Sequence, residues 1–138
     1  MKTSGLDHID ITVSDLERSR KFYADVLQFD VTIYPEDYPN PVFAGSFFFV
    51  VGGVEIGFLK HPETPPGDRF SEMRVGLDHL SFRAPDEASL HEFADRLIQA
   101  GVETKGVETF RPNGKKYVSF RDPDNIQLEY WLDSPGEE

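Results

Sequence analysis

Gly5-Leu6-Asp7-His8 recurs as Gly76-Leu77-Asp78-His79, 71 positions later. Each copy leads into an alternating apolar stretch, an acidic helix start and a helical pattern. The chain therefore reads as one module written twice. This constrains the fold more than any compositional figure, because whatever the first half builds the second half must build again. It also sets one histidine early in the first strand of each module. Pseudo-twofold packing can bring two such histidines to one point, which would make a metal site.

The periodicity fills in each module. Ile9, Ile11 and Val13 share one strand face, and His8, Asp10 and Thr12 share the other. Ser14-Asp15-Leu16-Glu17 reads as a capping box, with the Ser14 hydroxyl accepting from the Glu17 N–H. Leu16, Phe22, Tyr23, Val26 and Leu27 then form a helical stripe. Strands are predicted over 31–34, 47–51 and 54–59, the last two joined by a Gly52-Gly53 hairpin turn. Residues 60–75, rich in Pro, Glu and Gly, read as a connector. In the second copy, Leu80 and Phe82 oppose His79, Ser81 and Arg83. A helix starting at Asp86 carries Leu90, Phe93, Ala94, Leu97 and Ile98 on one face and stops at Gly101. Strands are predicted over 102–107, 116–120 and 126–132, with Asp122-Pro123-Asp124-Asn125 as a turn, Arg111-Pro112-Asn113-Gly114 as a rim loop and a fraying tail from Asp133.

The expected fold is thus α+β: two βαβββ modules, 5–59 and 76–132, within one domain. A helix covers one sheet face of each module, so the other must be buried by a second unit or hold a ligand.

Composition narrows the functional classes. The 138 residues suffice for one domain with a real core. A net charge of −11 argues against nucleic acid or an anionic membrane as a partner. No apolar run is long enough to span a bilayer, and no apolar leader follows Met1. Cysteine is absent, which excludes disulfides and thiolate chemistry. A cytoplasmic location is the default expectation.

The candidate chemistry lies on the uncovered face. In the last strand Gln127, Glu129 and Trp131 alternate with Ile126, Leu128 and Tyr130. Glu129 is a carboxylate in a strongly apolar strand, costly to bury unless paired, hydrogen-bonded or bound to metal. His8, His79 and Glu129 therefore form a candidate ligand set. Two imidazoles and one carboxylate with open positions suit non-haem Fe(II), with Mn(II), Zn(II) and Ni(II) as alternatives. His61, in a loop, and His91, on the polar side of a helix, read as solvated.

These residues resemble the vicinal oxygen chelate superfamily, which includes glyoxalase I, extradiol dioxygenases, fosfomycin-resistance proteins, methylmalonyl-CoA epimerase and bleomycin-binding proteins. The resemblance rests on Leu6-Asp7-His8-Ile9 with Ser14 to Ser19 and Phe22-Tyr23, on Leu77-Asp78-His79-Leu80, and on Phe120 to Asn125 leading into Leu128-Glu129. Asn125 replaces the glycine usual in that last turn and also tolerates positive φ. The resemblance implies that the βαβββ modules pair into an open, cupped mixed sheet, with metal ligands at His8, His79 and Glu129. It also implies a homodimer in which one subunit can complete the other's cup, and a small substrate whose adjacent oxygens the metal chelates.

Within that superfamily, glyoxalase I adds a carboxylate ligand from the first module. Here the position equivalent to Glu129 is Gly57, and Glu55 lies two residues away on the same face. Glu55 is thus a candidate fourth ligand or general base. Tyr117 is a candidate acid–base residue. Asp10, Arg83, Arg121 and Trp131 are candidate substrate contacts, an arginine there being suited to a substrate carboxylate. Asp10 stands where fosfomycin-resistance enzymes carry threonine, and cationic loops for a phosphonate are not evident. The expected activity is a metal-dependent dioxygenase, lyase or isomerase. The competing expectation is a metal-free, bleomycin-resistance-like protein that sequesters a cationic ligand.

Overall fold

The structure is a computed structural model that describes residues 1–132; the predicted tail from Asp133 lies outside the described residues. The chain divides into two compact units, Met1–Arg69 and the part from Phe70 onward, so the division falls inside the predicted connector.

The first unit contains β1 (His8–Thr12), α1 (Leu16–Lys21), β2 (Thr32–Ile33), β3 (Phe47–Val51) and β4 (Val54–Leu59). Its strands form an open sheet in the order β1-β4-β3-β2, with β1 parallel to β4 and the remaining pairs antiparallel. Gly52 and Gly53 both take positive φ in the two-residue turn, as such a hairpin demands. The helix start differs from the expected capping box. Asp15, not Ser14, caps α1 by accepting from the Arg18 N–H, and the Ser14 hydroxyl accepts from the Arg18 guanidinium. An aspartate one residue closer to the helix competes for the same N–H groups, and its carboxylate also suits the positive helix end. After Lys21 the helix widens into a π turn over Phe22–Val26. Phe22 and Tyr23 are buried there, and Tyr23 packs on Phe47, Phe49 and Phe58 with ring centroids 4.3–6.3 Å apart.

The second unit repeats this plan with β5 (Leu80–Ala84), α2 (Glu87–Gln99), β6 (Val107–Phe110), β7 (Lys115–Arg121) and β8 (Gln127–Leu132). The sheet order is β5-β8-β7-β6, again with the first pair parallel. Asp86 caps α2 by accepting from the Ser89 N–H, and Gly101 takes positive φ just past its end. Leu90, Leu97, Val118 and Leu128 are fully buried between α2 and the sheet. The strand predicted over 102–107 begins only at Val107. Val102 is spent on closing the helix, donating to the Leu97 carbonyl, and the Thr104 hydroxyl donates to the Ser119 carbonyl. Asn125 takes a φ of 69°, so it does adopt the left-handed conformation expected of it.

In both units alternation sorts side chains in the same way. Ile56 and Phe58 in one, and Val118, Phe120 and Leu128 in the other, face the buried side. Their neighbours face the side that no helix of the same unit covers. The candidate site residues of both modules lie there.

Candidate functional site

In the second unit the open face carries Ser81 and Arg83 from β5, Glu129 and Trp131 from β8, and Tyr117, Ser119 and Arg121 from β7. The register places Ser81 opposite Glu129, Arg83 and Tyr117 opposite Trp131, and Ser119 opposite Glu129. His79 immediately precedes β5. Its Nδ1 lies 2.7 Å from Asp78 Oδ1, and since a carboxylate only accepts, Nδ1 donates. This fixes the ring with Nε2 turned toward Glu129, whose Oε1 is 2.8 Å away. The Glu129 side chain is only 8% exposed. Its other oxygen, Oε2, accepts from the Trp131 indole N–H at 2.7 Å. The buried carboxylate is therefore held on one side by indole and presented on the other to imidazole.

Trp131 is itself clamped. It stacks on Tyr117 at 4.6 Å with an interplanar angle of 11°, and Phe110 meets it edge-on at 5.5 Å. Burial first, then Glu108 and Glu129, push the Tyr117 phenol above its ordinary pKa. At neutral pH Tyr117 is thus a protonated donor.

The first unit offers a related arrangement. His8 Nδ1 donates to Asp7 Oδ1 at 2.7 Å, the same adjacent-residue bond found in the second module. His8 Nε2 then faces Asp10 Oδ2 at 3.8 Å. The hydrogen bond to Asp7, followed by the charge of Asp10, raises the His8 pKa. Glu55 pairs with His8 in the register and Gly57 pairs with Asp10. Gly57 is therefore the counterpart of Glu129, as the sequence register implied, and Glu55 the counterpart of Gln127. Tyr34 was missed by sequence reasoning. It sits two residues beyond Thr32, which pairs with Phe48, so strand alternation was the signal that could have found it. Burial, then Glu55, Tyr38 and Asp10, raise its pKa.

Arg121, expected as a substrate contact, is engaged within its own unit. Its guanidinium grips Glu72 with two bonds of 2.8 and 2.9 Å and also donates to the Asn125 carbonyl and Gln127. The hydrogen bond from Arg121 draws the Glu72 carboxyl down to about 2. With Phe70 N donating to the Asp124 carbonyl, this pins residues 70–72 to the turn before β8. His91 lies against Glu87 on α2, at 3.4 Å.

Within either unit, no three His, Asp or Glu side chains among the described residues gather into a metal-holding group. Each unit presents a partial donor set: an imidazole whose Nε2 is aimed at a carboxylate. That set fits a divalent ion, because an imidazole oriented through Nδ1 and a buried carboxylate beside it are the donors such ions take once the proton between them is displaced.

The comparisons with known proteins agree with this fold. The Glyoxalase/Bleomycin resistance protein/Dioxygenase superfamily model matches residues 5–130, and the chain belongs to that superfamily. A metallothiol transferase FosB from Shouchella clausii is 28% identical over 131 residues, covering 91% of this chain and 78% of the relative. The crystal structure of a glyoxylase/bleomycin resistance protein/dioxygenase domain from Frankia sp. EAN1pec superposes with a TM-score of 0.82 at 30% identity, covering 99% of this chain and 96% of that one. A variant of the fosfomycin resistance protein FosX from Listeria monocytogenes, complexed with Mn(II) and a dihydroxypropylphosphonic acid, has a TM-score of 0.73 at 20% identity. That likeness covers 97% of this chain and 95% of that one and speaks to the fold. Among the described residues no helix is long and apolar enough to cross a membrane.

Proposed function

We propose that the chain is a metal-dependent enzyme acting on a small substrate through two adjacent oxygens. Its ligands would be His79, Glu129 and His8, the last from the same chain or from a second copy in a homodimer. The observation that carries this reading is the buried Glu129 carboxylate, with Oε2 held by Trp131 and Oε1 set 2.8 Å from His79 Nε2. A divalent ion bound there, Fe(II) or Mn(II) first and Zn(II) or Ni(II) as alternatives, would polarise a substrate oxygen as a Lewis acid or activate dioxygen.

The protein's own groups divide the remaining work. Asp7 and Asp78 accept from Nδ1 and so orient the two imidazoles with Nε2 turned inward, where it would ligate once its proton is displaced. Tyr117 is a hydrogen-bond donor to a bound oxygen, and Arg83 is a contact for the substrate's far end. Glu55, opposite His8 in the register, is the proton acceptor for an isomerase, lyase or dioxygenase reaction. A phosphonate dianion would meet both Asp10 and Glu55 around His8. The substrate is therefore neutral or cationic, unlike the phosphonate bound in the FosX structure.

Those same carboxylates, in a chain of net charge −11, favour one second reading: a metal-free protein that sequesters a cationic, bleomycin-like ligand. Elemental analysis of protein purified without chelator separates the two. The enzyme reading predicts stoichiometric divalent metal that is lost in His8→Ala, His79→Ala and Glu129→Ala while circular dichroism stays unchanged. Metal-free parent protein that captures bleomycin would instead establish the second reading.

A further inference from the structure

The two modules differ most where their registers agree. In the second, Ser81 on β5 lies opposite Glu129 on β8. The equivalent pair in the first is Asp10 on β1 opposite Gly57 on β4. The long acidic side chain and the small residue have exchanged strands. Neighbouring strands of a sheet lie only about 4.8 Å apart, so a carboxylate from either strand can reach much the same point.

The geometry around Gly57 supports this exchange. A Cβ built on Gly57 would lie 2.5 Å from Asp10 Oδ1, far inside contact distance. Asp10 thus leans across β4 and occupies the space a side chain at 57 would need. No positive φ accounts for the glycine, since Gly57 is not among the glycines with that conformation. The histidines correspond as well. Each donates Nδ1 to the preceding aspartate at 2.7 Å, and each turns Nε2 toward a carboxylate, Asp10 in one unit and Glu129 in the other.

We propose that Asp10, seated over Gly57, is the first module's transposed counterpart of Glu129 and supplies the metal centre with its second carboxylate. This rests on the metal-centre reading above. Two carboxylates with two neutral imidazoles would balance a divalent ion's charge.

The test is Mn(II) affinity of the full chain, read from the electron paramagnetic resonance of the free ion. Asp10→Asn keeps shape and removes charge, and should weaken binding by roughly 10- to 100-fold. Asp10→Ser/Gly57→Glu rebuilds the Ser81–Glu129 pair in the first module and should restore affinity to within a few-fold of the parent. A mere packing role for Asp10 would not be rescued by moving the carboxylate to another strand. Thermal unfolding of each metal-free variant, monitored by circular dichroism, should stay close to the parent. Unchanged affinity in Asp10→Asn, beside a clear loss in Glu129→Gln, would overturn this inference and leave the metal centre standing. Loss in Asp10→Asn without recovery in the double variant would also overturn it. No loss in either single variant would bring down both readings.

Discussion

The two units share a plan but differ in what fills them. The first buries an aromatic cluster, Tyr23, Phe47, Phe49 and Phe58, beneath a six-residue helix and a π turn. The second buries Leu90, Leu97, Val118 and Leu128, with the ring pair Phe93 and Phe120 beside them, beneath a regular helix of 13 residues. A short helix covers little area, and large rings compensate by reaching further from the sheet. The two units therefore share the backbone register and the Asp–His pair but differ in core composition and in which strand carries a carboxylate.

The sharpest way to break that comparison is through the cores. Phe58→Ala removes the ring on which Tyr23 and Phe47 converge, at 4.3 and 4.6 Å, and should cost about 3–5 kcal/mol. Leu128→Ala in the second unit empties a fully buried position opposite Phe120 and should cost about 2–5 kcal/mol. Urea unfolding of the two variants checks the order, and a larger loss for Leu128→Ala would refute the claim that the first unit depends more on its rings.

The second comparison concerns the carboxylates. Trp131→Phe keeps the stack on Tyr117 but deletes the N–H that holds Glu129 Oε2, and Mn(II) affinity should fall about tenfold. Glu129 has this indole anchor and Asp10 has no equivalent at position 12, where the residue is threonine. Equal affinity in the variant would show that the indole is only packing.

The smallest effect expected is at the Arg121–Glu72 clamp. The Glu72 carboxyl is depressed in the folded protein to about 2. Its stabilising contribution is thus complete above the ordinary glutamate range and is lost as pH falls toward 2. Carboxyl-carbon NMR of Glu72 should titrate near that value in the parent and return to the ordinary range in Arg121→Met. Identical titration in both would mean that the guanidinium does not hold residues 70–72.

Much of this was legible because it is repetitive. The duplicated Gly-Leu-Asp-His, the alternation of β1, β4, β5 and β8 and the two-glycine turn set the strands and the open face. The cap moved by one residue because Ser14 and Asp15 both offer an oxygen, and only geometry decides between them. The strand predicted from Val102 was shortened because helix closure and strand pairing compete for the same backbone groups. The pairing of Arg121 with Glu72 was not legible, because that partner is 49 residues away in a segment without periodicity. Alternation tells which way Trp131 faces, but not that its N–H points at Glu129. The pairing of Asp10 with Gly57 follows from strand register, which two-residue periodicity constrains only modulo two.

Trp131 is the chain's sole tryptophan and donates directly to Glu129, so its fluorescence reports on the proposed centre without any label. Mn(II) titrated into metal-free protein should quench that emission saturably at one ion per chain, and the quenching should vanish in His79→Ala and Glu129→Gln. Emission that stays constant while Mn(II) fails to bind would contradict the metal centre outright.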